Sequence, residues 1–169
     1  MKFLIIFLIF ISNAMAKEIP NIKNIVINKE PKTYDSITFL DSNGNTIKLN
    51  DYKGNLVLLN FWATWCTPCK EEMPSLDSLK INKNLDNLKI FPINVGKDNI
   101  DKILNFYSET GIQNLNFYFD SPTTLAKKFK LRGIPTSILI NKDGYEFAKV
   151  IGSINFEDPK FVNWLLNYD

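Results

Sequence analysis

At 169 residues the chain is long enough for one domain with a substantial core and short for two. Its 20 Lys plus Arg nearly balance 18 Asp plus Glu, a net charge of +2 at pH 7, which leaves no basic footprint for nucleic acid. The absence of histidine excludes histidine-based acid–base catalysis and disfavours ordinary four-ligand zinc sites.

Residues 1–16 have the order of a secretory signal peptide: Lys2, an apolar run over 3–11, then Ser12-Asn13-Ala14-Met15-Ala16 ending Ala-x-Ala, with cleavage expected after Ala16. The run is short of the roughly 20 apolar residues that span a bilayer. An uncleaved anchor is the alternative; either way the expected address is exported, the periplasm. Residues 17–35, with Pro20 and Pro31, read as an extended segment carrying a short strand at 25–27. Segments 36–40 and 46–49 flank Asp41-Ser42-Asn43-Gly44-Asn45 and predict a β-hairpin. Residues 50–55 connect to 56–62, an almost wholly apolar stretch that reads as a buried strand.

Cys66 and Cys69 stand where that strand hands over to a helix predicted over 68–79. Pro68 suits the first turn of that helix, and Pro74 is expected to kink it. A strand at 89–95, a helix at 98–110 capped by Gly111 and a strand at 115–119 follow. Ser121-Pro122 is read as opening a helix with Leu125, Ala126 and Phe129. Gly133-Ile134-Pro135-Thr136 then leads into strand 137–140, and Asp143-Gly144 turns it into 145–151. Asp158 and Pro159 start the last helix. This order predicts an α/β fold, a central mixed β-sheet flanked by helices on both faces, in a single domain over 36–169. The pair 137–140 and 145–151 is expected at its antiparallel edge.

Paired cysteines in an exported chain usually act as staples. Here they enclose only Thr67 and Pro68, a loop too short to stabilise the fold much. Thiol–disulfide chemistry explains the spacing better. Cys66 at a helix N-terminus is expected to ionise below the free-thiol value of about 8.5, and Cys69, one turn in, to be the resolving thiol. Trp65 is either a flat apolar docking rim or core.

The run Phe61-Trp62-Ala63-Thr64-Trp65-Cys66-Thr67-Pro68-Cys69-Lys70 resembles the active-site motif of the thioredoxin superfamily. With Glu72-Met73-Pro74 and the lead-in from Asp41 to Gly54, the chain is similar to the TlpA/ResA-type (TlpA-like) branch, exported or membrane-tethered reductases related to CcmG. The similarity covers most of 36–169, and 97–119 resembles that branch's central helix-and-strand insertion. The resemblance implies a thioredoxin-like fold, a redox-active Cys66–Cys69 disulfide and no cofactor. It implies a cis Pro135 that exposes Ile134 to an extended client, with Trp65, Thr67 and Pro68 completing the docking surface; an ordinary trans proline opening the strand is the alternative. It further implies oxidised exported proteins, such as apocytochrome c, as clients and a membrane electron donor of the DsbD/CcdA type. One departure stands out: Asn60 occupies the place of thioredoxin's buried aspartate. Glu72 is the candidate substitute, either buried beside the dithiol and relaying the Cys69 proton or an exposed helix carboxylate.

The expected function is therefore a monomeric, exported protein-disulfide reductase in which Cys66 attacks and Cys69 resolves. A disulfide oxidase or isomerase, and a redox-silent binding domain, are the alternatives. A copper chaperone lacks the histidine it would use. A peroxidase lacks its Pro-x-x-x-Thr-x-x-Cys pattern around Cys66.

Overall fold

The computed structural model describes residues 22–34, 36–120 and 124–168. The expected signal peptide and the Ser121-Pro122 helix start lie outside the described residues. Strand β4, Leu56–Trp62, is buried along its whole length and has a neighbour on each side. It runs parallel to β5, Leu88–Asn94, and antiparallel to β7, Thr136–Ile140. Outside β7 lie β8, Glu146–Ile151, and then β1, Ile25–Lys32; outside β5 lie β6, Tyr118–Phe119, and the hairpin β2, Thr38–Asp41, with β3, Thr46–Lys48. The eight strands follow the order β1-β8-β7-β4-β5-β6-β2-β3.

Alternation along β4 decides which side chains meet which layer, because successive residues of a strand point to opposite faces. Leu56, Leu58 and Trp62 pack with α1 (Thr67–Lys80), α2 (Ile100–Thr110) and α4 (Pro159–Leu165) through Met73, Leu76, Phe106, Phe161 and Trp164. Val57, Leu59 and Phe61 pack on the other face with Phe39, Phe91, Ile138 and Phe129, the last just past α3 (Leu125–Lys128). Each such fully buried side chain contributes roughly 1.5–3 kcal/mol. Asn60 shares the parity of Leu58 and Trp62, so a polar side chain faces α1 from within the core.

Two expectations change. The β7–β8 pair is not the edge of the sheet, because β1 pairs with β8 from Ile25↔Val150 to Lys32↔Glu146, with a register shift between Ile27 and Lys32. The strand at 25–27 thus extends to Lys32, and the sheet begins upstream of residue 36. Its outer position explains why no periodicity marked it: only one side pairs, the register breaks, and Pro31 is tolerated at an edge. Fully buried Glu146 holds β1 there, accepting from Asn28 Nδ2 at 2.8 Å and from the Tyr34 hydroxyl, with Lys149 at 3.7 Å and Lys32 at 3.6 Å. Second, β6 has only two residues, although 115–119 is aromatic-rich.

Helix α1 runs on through Pro74 to Lys80. Near its end, buried Asp77 accepts the N–H groups of Gln113, Asn114 and Leu115 at 3.3, 2.8 and 2.9 Å, fixing the loop that follows the αL cap of Gly111. Replacing Asp77 by Ala strands those donors. Urea unfolding is expected to show a loss of about 2–4 kcal/mol, with the Cys66–Cys69 disulfide still able to form.

Candidate active site

The C-terminal edge of β4 and β5 is where the chain gathers its unusual residues. From Trp62 the backbone turns through 63–65, with Cys66 N–H donating to Ala63 O at 3.2 Å, and enters α1 with Cys66 as its N-cap. Cys66 and Cys69 are joined by a disulfide. Cys69 N–H also donates to Cys66 Sγ at 3.3 Å, so the sulfur takes one of the free donors that every helix start leaves. Pro68, in the first turn, removes no bond there. The two sulfurs differ in access: Cys66 is 5% exposed and Cys69 fully buried.

Trp65 is 69% exposed, which makes it surface rather than core, and Thr67 and Pro68 are exposed beside it. The Ile134–Pro135 bond is cis. Thr136, the next residue, pairs with Phe61, so the cis peptide sits at the edge from which the cysteine loop departs. Ile134 packs against the cluster that contains both cysteines, while Pro135 is buried and its carbonyl accepts Gly152 N–H at 2.9 Å. Trp65, Cys66, Thr67, Pro68, Ile134 and Pro135 thus gather at one edge of the sheet.

Glu72 is 2% exposed, one helical turn past Cys69 on the same buried face of α1. Its Oε1 accepts Asn60 Nδ2 at 2.8 Å, and the same Nδ2 reaches Ser137 Oγ at 3.0 Å. Burial pushes the Glu72 carboxyl up to about 8, against the opposing hydrogen bonds from Asn60 and the Ile154 backbone. An aspartate at 60 would set two carboxylates side by side. The neutral amide instead serves both states of one acid: Nδ2 donates to the carboxylate, and a half-turn would offer Oδ1, which has no hydrogen-bond partner among the described residues, to the carboxylic acid.

Residues 94–98 also belong to the site and carried no motif. Asp98 Oδ2 accepts Thr64 N–H and Asn94 Nδ2, each at 2.9 Å. Burial opposes the Asp98 charge, yet these donors win and hold the carboxyl below its ordinary value. A Cβ on Gly96 would lie 2.6 Å from Ala63 Cβ and 3.0 Å from Trp65 Nε1, so only glycine lets this loop support the turn before Cys66. The available signal was positional: Gly96 and Asp98 follow a strand end at the carboxyl edge, where sites of α/β sheets gather.

The AhpC/TSA family profile matches residues 29–145. The thiol-disulfide oxidoreductase ResA of Bacillus subtilis is 34% identical over 114 residues, 68% of this chain and 63% of its own length. The chain therefore spans a little under two thirds of that relative. The structure of StoA from Bacillus subtilis superposes with a TM-score of 0.62 at 28% identity, covering 77% of this chain and 96% of StoA. The exposed lipoprotein thioredoxin of Streptococcus pneumoniae gives 0.61 at 25% identity, covering 79% and 98%. The cis proline, the disulfide at a helix start and the mixed sheet are thus set in a thioredoxin fold, and with the profile match they show that this chain belongs to the AhpC/TSA family of thioredoxin-like proteins.

Proposed function

We propose that this protein is an exported thiol–disulfide oxidoreductase that reduces disulfides of exported proteins. One observation carries the reading: the Cys66–Cys69 disulfide joins a sulfur at the helix N-cap to a fully buried one on the same helix face as a buried carboxyl. That division suits a nucleophile and a resolver. The ResA relative is a thiol-disulfide oxidoreductase by name, which supports the same activity here. Export, apocytochrome c as a client and a membrane dithiol donor of the DsbD/CcdA kind belong to this proposal. Export is supported by the apolar run at 3–11 and by the exposed lipoprotein among the structural neighbours, and the client and donor by the likeness to the TlpA/ResA-type branch.

In the reduced protein the helix N-terminus stabilises the Cys66 thiolate. That thiolate attacks one sulfur of the client disulfide; the other client sulfur leaves as a thiolate and is protonated by water. Glu72 carboxylate takes the Cys69 proton, Cys69 attacks Cys66 Sγ, and the second client thiolate departs. Two electrons have passed from the dithiol to the client. When a donor dithiol reopens the Cys66–Cys69 bond, the protonated Glu72 returns a proton to the departing Cys69. A carboxyl with a value of about 8 serves both directions near neutral pH.

In a Cys69→Ser variant, non-reducing electrophoresis is expected to show accumulated mixed disulfides with exported proteins, and none in Cys66→Ser. Wild type and Cys69→Ser giving the same band pattern would overturn the assignment of resolver.

Glu72→Gln is expected to slow resolution of a mixed disulfide at pH 7 by about 100-fold or more in stopped-flow measurements. The same exchange tests stability. Glu72 holds its proton to about pH 8 when folded but ionises near 4.5 when unfolded, so the folded state binds more protons in that window. Wild-type stability therefore falls as pH rises from 4.5 to 8 and levels off above. Glu72→Gln should lose that slope and be more stable than wild type at pH 8 by about 1–3 kcal/mol.

A further inference from the structure

A carboxyl pushed up to about 8 is mostly protonated at neutral pH, so Glu72 must release that proton to water before it can take the one from Cys69. Cys69 and Asn60, which also face Glu72, are fully buried, and a docked client covers Cys66. The structure offers another way out. A cavity of about 320 Å³ has Glu72 in its wall and is otherwise lined by Glu71, Ser75, Ser153, Ile154 and Asn155. It opens beside α1, about 9 Å along the helix from Cys66 at 1.5 Å per residue. At about 30 Å³ per molecule it has room for on the order of ten waters, and hydroxyl and amide groups are there to bind them.

The walls are held in place by specific bonds. Ser75 Oγ donates to Glu72 O at 2.7 Å and accepts Phe156 N–H at 3.0 Å, tying the loop after β8 to α1 beside Glu72. From the other side, Asn24 Nδ2 donates to Ser153 O at 3.1 Å, and Ile151 N–H donates to Asn24 O at 2.9 Å. No basic side chain is among the lining residues. Around Glu72, Asn60 on β4 and the Ser137 hydroxyl that binds Asn60 are neutral, the Ile154 backbone bonds the carboxyl from the loop after β8, Cys69 lies one turn back on α1, and Glu71 stands exposed at the rim. A departing proton therefore passes to water rather than to a lysine.

We propose that this cavity is the proton portal of the active site, connecting Glu72 to bulk water independently of the client-docking face, and that Ser75 is a positioning residue that keeps it formed. The portal rests on the Glu72 relay proposed above.

The test is hydrogen–deuterium exchange at the Glu72 carboxyl in the full chain, followed by infrared spectroscopy after mixing with D2O; the C=O band is identified by its loss in Glu72→Gln. Filling the cavity with Ser153→Leu, or at the exposed rim with Asn155→Leu, is expected to slow exchange at least tenfold. Ser75→Ala should alter the exchange rate and Ser75→Thr, which keeps the hydroxyl, restore it. In a mixed disulfide between Cys69→Ser protein and a short cysteine-containing peptide, exchange should stay within about twofold of the free protein. Unchanged exchange in both folded leucine variants, or its loss in the peptide adduct, overturns the portal. If instead Glu72→Gln resolves mixed disulfides at the wild-type rate, the relay fails while the exchange data still report on the cavity.

Discussion

Under the first turns of α1 a carboxyl group is held out of water by a fully buried amide, Glu72 Oε1 against Asn60 Nδ2 at 2.8 Å. Burying an ionisable group is costly unless it is neutral or well bonded, and both conditions shape what surrounds it. The strand supplies an uncharged partner, Ser137 on the neighbouring strand anchors that partner at 3.0 Å, and the loop after β8 reaches the carboxyl from the far side. Charge can be tolerated here only transiently. A group in that state is suited to holding a proton between two steps rather than to pairing permanently with a cation.

The same strand that buries Asn60 aims the cysteines. β4 is paired on both sides, so its end is a rigid point from which the turn into α1 departs. Asp98 and Asn94 brace that turn from β5, and Gly96 lets the two loops approach. The cis peptide at Pro135 enters from β7, one register step beyond Thr136↔Phe61. Three adjacent strands thus each deliver one component to a single edge. This is a positional consequence of sheet order, since the cysteines and Pro135 are 66 or more residues apart in the chain.

Much of this was legible in local chemistry. The all-apolar run of β4, the proline in the first turn of α1 and the caps at Gly111 and Asp158 each follow from short-range rules, and each stands where those rules place it. The Cys-x-x-Cys spacing was readable because so short a loop makes a poor staple. Strand β1 was not legible beyond 27, because an edge strand with a register break and a proline carries no period. The brace of Asn94, Gly96 and Asp98 was invisible for another reason: the residues it supports, Thr64 and Trp65, are about 30 residues away.

The sequence by itself thus determined the elements apart from the extent of β1 and β6, the cysteine pair and the asymmetry between a sulfur at a helix cap and one a turn further in. These depend on i, i+3 and i, i+4 relations that travel with the chain. It also supplied Asn60 and Glu72 as candidates, without deciding whether Glu72 was a solvated helix carboxylate or a buried acid. Only the tertiary structure decided that, because burial is a property of the layer laid over a residue. The parity of Asn60 on β4, the face of α1 turned toward it and the Ser153–Asn155 loop together made Glu72 a buried acid with a cavity at its side.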